Sequence, residues 1–465
     1  MCNRTSISIW QLLKAKPLLQ TWAHQLRLLI CKRHMATRME PSKVKYKFVE
    51  DVERLDYYVP GGYHPTMLGD QFCSGRYVIA HKLGFGRSAT TWLAEDIVNG
   101  RLVALKISTA ESVDRMHEME VLSRLAKAES SLPGKPIVQN ILDSFTVSGP
   151  NGTHRCLITD AARLNLNEVK EYPYHRLLHL PAARAIAAQL LLGVQLIHSQ
   201  GIVHGDLHLG NMLLQLPSDM KNKTSKQLRA RTGEPAKEPV VREDGLPLGP
   251  GVPSELVIPI WLGIDSDKVT LKDAPITISD FGEAFDPQTT KQYTAHTPLL
   301  LAPPESRFAD AGQGCLDTGM YYLGYFGCRP PFESFPVSLD EVTMEHVEML
   351  GKLPNRWWNE WKERSNRFHE DTHKSVKEDL RQWYGITSRD WDTRFDENIR
   401  KPRERNGFEL FSADEEAAFR GMMKLILVLE PGKRATIDEV VKCEWMQQWG
   451  LPELRRMQDA IDKSS

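Results

Sequence analysis

Apolar and polar residues alternate along three stretches that follow residue 76, and this period of two predicts β-strands. The first strand starts at Tyr77 and the third covers 102–107. The third has an apolar face with Val103, Leu105 and Ile107 and an opposite face with Ala104 and Lys106. Asn99-Gly100 stands directly before it, and this pair predicts a tight type I′ hairpin turn.

A helix is predicted after these strands, with Ser112 as its N-cap and Glu118 on its surface. Two more strands are predicted around 137–147 and 154–159, joined by a turn at Asn151-Gly152. The five strands lie in the first part of the chain, so the sequence predicts a strand-rich unit there.

A long helix is predicted further on, since Pro181 is typical of a first helical turn and Gly201 of a helix end. Its apolar stripe consists of Leu190, Leu191, Val194 and Ile197. Helical patterns dominate from here, so the fold class is predicted as α+β with two lobes, a small β-rich one and a larger helical one.

The pattern divides the chain into five parts with one insertion. These are a basic N-terminal extension at 1–38, a polar lead-in at 39–76, the small lobe at 77–160, the large lobe at 161–448 and a C-terminal tail at 449–465. Within the large lobe, 217–254 is rich in Lys, Arg, Pro and Gly without periodicity, and we predict a disordered spacer there.

The composition is that of a globular protein, with 465 residues, 41% hydrophobic and 26% charged. A formal net charge of −1 argues against direct nucleic-acid binding. The seven Cys contain no C-x-x-C pair, so neither a zinc site nor a disulfide framework is indicated. No uninterrupted apolar run reaches the ~18 residues that predict a membrane span.

The first residues are unusual, because 1–39 contain no Asp or Glu while seven Lys and Arg alternate with Leu and Ile. A basic, amphipathic and acid-free segment is typical of a mitochondrial transit peptide. The alternative is a dispensable extension, with translation starting at Met35.

The chemistry is centred on the pattern H-x-D-x-x-x-x-N, which covers 204–211. Phosphoryl transfer requires a carboxylate that accepts the proton of the attacking hydroxyl, and Asp206 is placed for that role. It also requires oxygen ligands for Mg²⁺, which Asn211 and the Asp280 of an Asp-Phe-Gly sequence provide.

Upstream motifs complete this chemistry. Gly84 and Gly86 lie between two strands, where glycines allow the backbone to approach phosphates closely. Ala104 leaves room for an adenine, and Lys106 on the same face reaches the α- and β-phosphates. Glu118 is the preferred partner of Lys106, although Glu120 fits the helix equally well.

A further motif lies downstream, at Ala302-Pro303-Pro304-Glu305. Its Glu305 would need a cationic partner if it were buried, and Arg434 is the candidate.

Taken together, the ordered motifs over about 77–448 resemble those of eukaryotic protein kinases, and most closely the SR-protein kinases with their fungal relatives. Three features carry the second resemblance. These are the lead-in Gly61-Gly62-Tyr63-His64-Pro65, the loop G-F-G-R-S-A-T-T-W-L at 84–93, and the spacer between Asn211 and Asp280.

The resemblance implies the bilobal protein-kinase fold, ATP and Mg²⁺ as cofactors, and transfer to Ser or Thr of Arg/Ser-rich proteins involved in mRNA splicing. It implies Asp206, Lys106 and Glu118 as catalytic residues, and Asn211 and Asp280 as metal ligands. The implied nucleotide-binding residues are Leu83, Gly84, Phe85, Gly86, Thr91, Ala104, Lys106, Asp160, Ala162 and His208. We further expect a monomer in cytoplasm and nucleus, with the mitochondrion as the alternative, and no membrane or nucleic-acid partner.

Several residues depart from the kinase pattern, among them Thr91, which replaces the usual Val over the adenine. Gly205 replaces the Arg that binds an activation-loop phosphate, so control by such phosphorylation is not expected. His208 replaces the Lys that contacts the γ-phosphate, which predicts slower transfer. The sequence H-G-D-L-H-x-G-N also resembles small-molecule phosphotransferases such as aminoglycoside and choline kinases, and a scaffold without turnover is a second alternative.

The segment 313–327 is the reason for the scaffold alternative. In kinases a long buried helix follows the Ala-Pro-Glu motif, but this stretch contains four Gly, which form helices poorly, and lacks the expected Asp-x-Trp. Reverse translation in a shifted frame restores a kinase-like helix, so we hypothesise a frame or splice change that transcript sequencing would reveal. The alternative is a genuine but divergent short helix. The acidic residues after it could dock a basic substrate or form a solvated face; they are Glu333, Asp340, Glu341, Glu345 and Glu348.

Overall fold

A computed structural model describes residues 39–463, except for 115–116, 130, 291–295, 309–325, 335–336 and 370–388. The N-terminal extension 1–38 and nearly all of 313–327 lie outside the described residues. The hypotheses about a transit peptide and about a frame change therefore stay predictions.

The smaller lobe is built on a six-stranded antiparallel sheet with the order β1-β2-β3-β4-β6-β5. Its strands are β1 Gln71–Phe72, β2 Tyr77–Phe85, β3 Ala89–Asp96, β4 Arg101–Ser108, β5 Ile141–Gly149 and β6 Gly152–Asp160. The predicted apolar face of β4 is confirmed, because Val103, Leu105 and Ile107 are buried together with Trp92. Ala104 and Lys106 point to the other face, towards the larger lobe.

The turns predicted at Asn99-Gly100 and Asn151-Gly152 exist, but the predictions of their length and residues were wrong. Asp96 lies opposite Arg101, so four residues form the β3–β4 loop, and only Gly100 has a positive φ, of 61°. The Asp96 carboxylate accepts hydrogen bonds from the N–H groups of Val98 and Asn99 and so stabilises the longer loop. In the β5–β6 hairpin the turn residues are Pro150-Asn151, because Gly149 pairs with Gly152.

The first helix, α1, covers His117–Ala126 and begins later than the sequence predicted. Ser112 lies in a preceding 3₁₀ turn, Ala110–Asp114, and is not its N-cap. The Ser112 hydroxyl instead lies 2.8 Å from that of Thr109, so it is engaged locally and not available at the helix terminus.

The larger lobe surrounds α3, Leu180–Ser199, which follows α2, Leu166–Glu171. The predicted stripe is confirmed, and fifteen of its twenty residues are buried. This helix is long and apolar enough to cross a membrane, but 83% of its most apolar 18-residue window is buried inside the lobe. Its hydrophobic character therefore corresponds to a central core helix.

A three-stranded sheet, β11-β8-β7, lies under the cleft. It comprises β7 Ala162–Asn165, β8 Met212–Gln215 and β11 Ile276–Ile278. In the pairing of β8 with β11, Met212 is opposite Ile278, and the Ser279 N–H donates to the Asn211 carbonyl at 2.9 Å. This register brings two distant parts of the sequence, around Asn211 and Asp280, next to each other.

The spacer is ordered, so the prediction of disorder at 217–254 was wrong. It contains α4 Ser218–Lys221, α5 Ser225–Thr232 and β9 Lys237–Pro239, which pairs with β10 Glu255–Val257. The few apolar residues of the spacer pack it against the smaller lobe. Leu228, for example, is buried in one cluster with Leu93 and Leu102. These contacts are distant in sequence, which explains why composition alone missed them.

The lead-in packs on this spacer. Tyr58 and Tyr63 form one buried cluster with Val240 and Leu256, here called the lead-in cluster. Beside it, Glu53 is fully paired, receiving hydrogen bonds from the Tyr58 hydroxyl and from the buried ammonium of Lys82 on β2. Burial lowers the pKa of Lys82, and the adjacent carboxylate opposes that effect.

The remaining helices complete the larger lobe around α3. They are α6 Pro304–Arg307, α7 Leu339–Leu350, α8 Asn355–Glu360, α9 Arg364–Arg367, α10 Trp391–Phe395, α11 Lys401–Arg405, α12 Ala413–Ile426, α13 Ile437–Val441 and α14 Leu451–Asp462. Helix α14 lies in the predicted tail but belongs to the core, because Leu454 and Met457 are buried in the α3 cluster.

The predicted partner of Glu305 is confirmed. Arg434 donates to both oxygens of the buried Glu305 carboxylate, at 2.6 and 2.7 Å. The pair ties α6 to the segment before α13.

Candidate active site

The loop 204–211 is held in place by its first residue. The His204 ring is buried and lies 4.8 Å from that of Phe281. Its Nε2 lies 3.0 Å from the Ser279 carbonyl, and its Nδ1 accepts the Asp206 N–H at 3.3 Å. These contacts assign the Nε2–H tautomer, so His204 links the Asp206 loop to the Asp-Phe-Gly segment.

Asp206 and Asn211 are brought together as predicted. The Asn211 side-chain amide donates to the Asp206 carbonyl at 2.8 Å and approaches its carboxylate at 3.4 Å. Since the amide nitrogen is used in this way, its oxygen is the atom that suits a cation.

Lys106 forms the centre of the second half of the site. Its ammonium donates to Glu118 at 2.9 Å and to Asp280 at 3.1 Å, so the predicted pair with Glu118 is confirmed. Burial lowers the pKa of Lys106, but the two carboxylates outweigh burial and leave it above its ordinary value. Glu120, the alternative partner, is not in this contact.

Asp280 is held in an uncommon backbone conformation, with φ 62° and ψ 73°. Asp tolerates this left-handed region better than most residues. The charge of Lys106 holds the pKa of Asp280 below its usual range, against the effect of burial. The carboxylate is therefore ionised near neutral pH, as a Mg²⁺ ligand must be.

The backbone around position 205 explains why this chain has Gly205 there. Its φ is 78°, and a Cβ at this position would lie 2.4 Å from the Glu283 carbonyl oxygen. Val203 and Phe285 pair next to it through two backbone hydrogen bonds, which bring the two segments close. The close approach excludes any side chain, including the Arg of the kinase pattern.

The His208 side chain caps the short 3₁₀ turn Leu209–Asn211. Its Nδ1 accepts the Gly210 N–H at 3.0 Å, so the proton of the neutral ring resides on Nε2. That atom lies 3.6 Å from Asp206 Oδ1. This carboxylate oxygen is buried and has no hydrogen-bond partner among the described residues.

Of the predicted nucleotide-binding residues, Leu83, Gly84 and Phe85 lie on β2, Thr91 on β3, and Ala104 and Lys106 on β4. Thr91 lies opposite Gly84 and Lys106 in the sheet. A Cβ added at Gly84 or Gly86 would meet nothing within 4 Å, so there is open space around the loop. The Asp160 carboxylate is turned to Arg101, at 3.5 Å, so only its backbone is suited to contact an adenine.

Sequence reasoning missed several contacts of the site. The Tyr63 hydroxyl donates to the Gly86 carbonyl at 2.7 Å, whereas the sequence marks Tyr63 only as part of the lead-in motif. Arg124 of α1 donates to Asp286 at 3.1 Å and to the Gln200 carbonyl at 2.7 Å. These contacts join residues far apart in sequence, and no local pattern signals them.

The class of protein follows from these observations together with comparison. Residues 77–224 match the protein kinase domain family. The fold is similar to a solved kinase-domain structure with a TM-score of 0.54 and 15% identity, covering 83% of this chain and 98% of that one. The chain therefore has the bilobal kinase fold, and its residues 77–224 match the protein kinase domain.

Within this class the chain is similar to SR-protein kinases. It is 32% identical over 208 residues to protein kinase dsk1 of Schizosaccharomyces pombe, covering 41% of this chain and 38% of dsk1. It is 34% identical over 171 residues to the serine/threonine-protein kinase SKY1 of Saccharomyces cerevisiae, covering 35% of this chain and 23% of SKY1. SRSF protein kinase 3 of Homo sapiens is 33% identical over 172 residues, which cover 36% of this chain and 30% of the human protein. The chain thus spans well under half the length of these curated relatives.

Proposed function

We propose that this protein is a serine/threonine protein kinase of the SR-protein-kinase type, which transfers the γ-phosphoryl group of ATP to Ser or Thr. The observation that supports this most directly is the Lys106 ammonium between Glu118 and Asp280. The arrangement places a fixed positive charge beside an ionised metal ligand, which phosphoryl transfer requires.

The roles follow from the geometry. Lys106, oriented by Glu118, binds the α- and β-phosphates. The carboxylate of Asp280 and the amide oxygen of Asn211 are hard oxygen ligands that suit Mg²⁺, which would neutralise charge on the phosphates. Asp206, whose Oδ1 has no hydrogen-bond partner among the described residues, accepts the proton of the substrate hydroxyl.

Replacement of the base tests this proposal. We expect Asp206→Asn to reduce phosphate transfer to an Arg/Ser peptide by about 10²–10⁴-fold, because a positioned acid/base group contributes that much. Radiolabel transfer from Mg-ATP measures it, and Asp219→Asn, at an exposed site, is the matched control. Equal transfer by the wild type and Asp206→Asn would refute the kinase proposal and favour a scaffold.

We propose Arg/Ser-rich proteins of mRNA splicing as substrates, by similarity to the SR-protein kinases. The predicted docking residues on and before α7 do not support this part. Within the described chain, Asp340 pairs with Arg307, Glu341 with Arg367 and Glu345 with Arg394. Since Glu341 and Glu345 are buried as well, docking through them is excluded.

The two alternatives are less favoured. The buried Glu305–Arg434 pair and the Asp-Phe-Gly segment support a protein kinase over a small-molecule phosphotransferase. The assembled Lys106–Glu118 pair argues against a scaffold without turnover. Peptide phosphorylation is measured with and without excess choline or an aminoglycoside. A protein kinase should phosphorylate the peptide equally in both cases. A small-molecule phosphotransferase should transfer phosphate to the added acceptor instead, and a scaffold should transfer none.

A further inference from the structure

At the tip of the glycine-rich loop, the Ser88 carbonyl accepts the Thr109 N–H at 2.7 Å, and the lead-in contacts the tip through Tyr63. Around the tip, Gly86, Arg87 and Ser88 are exposed, and Phe85 is 43% exposed. The Tyr63 hydroxyl nevertheless donates to the Gly86 carbonyl at 2.7 Å and lies 3.4 Å from the Arg87 carbonyl. Burial raises the pKa of Tyr63, so the phenol keeps its proton and remains a donor at neutral pH.

Tyr63 is itself held rigidly. Its N–H donates to the Tyr57 carbonyl at 3.1 Å, and its carbonyl accepts from the Asn151 side-chain amide at 2.7 Å. The same amide donates to the Gly251 carbonyl at 2.7 Å, so lead-in, β5–β6 turn and spacer meet at one buried side chain. Gly62 is required there, because a Cβ would lie 1.8 Å from the Tyr57 carbonyl oxygen.

The ring of Tyr63 adds a second constraint. It is part of the buried lead-in cluster, 5.5 Å from the ring of Tyr58. The ring of Tyr63 is packed, and both its N–H and its carbonyl are hydrogen-bonded. The hydroxyl therefore has little conformational freedom. It therefore acts as a fixed point against which the exposed loop is positioned.

We propose that Tyr63 is a positioning residue that fixes the glycine-rich loop over the nucleotide, an inference that rests on the proposed kinase function. A loop ordered before ATP arrives loses less conformational entropy on binding, and preorganisation of this kind increases affinity. One hydrogen bond contributes about 0.5–1.5 kcal/mol, so its loss should raise the KM for ATP by about two- to tenfold. The value of kcat should stay within about twofold, because the bond does not touch the reacting atoms.

The test compares Tyr63→Phe with Tyr46→Phe in the full-length protein. Phe keeps the ring in the cluster and removes only the hydroxyl. Tyr46 packs against the same cluster, and the described residues provide no hydrogen-bond partner for its hydroxyl, so it controls for loss of a phenol. Two measurements are made: hydrogen exchange of the peptide 83–93 without nucleotide, and KM and kcat for ATP with an Arg/Ser peptide.

We expect faster exchange in 83–93 and a raised ATP KM for Tyr63→Phe alone. Unchanged exchange in that peptide overturns the inference, and so does faster exchange that extends evenly over the whole smaller lobe with a lower Tm. A wild-type protein that fails to transfer phosphate refutes the proposed function instead, while the exchange experiment still decides whether Tyr63 positions the loop.

Discussion

At the scale of single residues, two separate constraints act against a side chain at Gly205. Gly205→Ala would combine a left-handed φ of 78° with a contact of 2.4 Å to a carbonyl oxygen. We expect a loss of stability well above the ~1 kcal/mol typical of a left-handed non-glycine residue, with a marked loss of activity. Urea unfolding and a kinase assay measure the two effects.

The chain offers a control for that substitution. Gly407 has a similar φ of 71°, but a Cβ there would meet nothing within 4 Å. Gly407→Ala therefore reports the conformational cost alone, and the difference between the two variants reports the close approach. Equal losses at both positions would contradict a role for the Glu283 carbonyl.

His208 is the other departure at this scale. His208→Lys places a permanent positive charge near the site of the γ-phosphate, and we expect a severalfold higher kcat. The same change removes the acceptor of the Gly210 N–H, with a cost of about 1 kcal/mol in stability. His208→Gln, neutral and polar, should not raise kcat, and a kcat for His208→Lys at or below wild type would argue against this role.

At the scale of elements, the pair between Glu305 and Arg434 joins α6 to the segment before α13. Arg434→Met leaves a buried carboxylate without its partner, and we expect a loss of about 3–5 kcal/mol in unfolding free energy. Glu305→Leu combined with Arg434→Met should recover much of it. The exposed pair Arg231–Asp219 is the comparison, where removal should cost at most about 1 kcal/mol.

Helices, strands and site residues were predictable where they depend on a short stretch of sequence. The strand with Lys106 and the helix ending before Gly201 follow from short-range periodicity, and Asp206, Asn211 and Asp280 follow from spacing. The predicted N-cap at Ser112 and type I′ turn at Asn99-Gly100 failed because nearby side chains, Thr109 and Asp96, offered competing hydrogen bonds. Tyr63 and the order of the spacer depend on contacts between distant parts of the chain, which periodicity does not contain.

At the scale of the whole molecule, we propose that the protein works in cytoplasm and nucleus and that residues 1–34 are dispensable. A C-terminally tagged full-length protein should be distributed between these two compartments in fluorescence imaging. A version starting at Met35 should be distributed in the same way, because it lacks only the segment that we propose is dispensable. Fluorescence confined to mitochondria in the full-length protein, and lost on truncation, would establish a transit peptide instead.

The buried contact between Glu53 and Lys82 determines where chimaeras of related proteins can be joined. The recognisable domain sequence starts at 77, yet Lys82 inside it has its partner before that boundary. A chimaera joined at residue 77 would carry a fully buried ammonium into a host that lacks the matching carboxylate, at a cost of several kcal/mol. Successful grafts should therefore transfer the two sides together, with the junction placed upstream of Glu53.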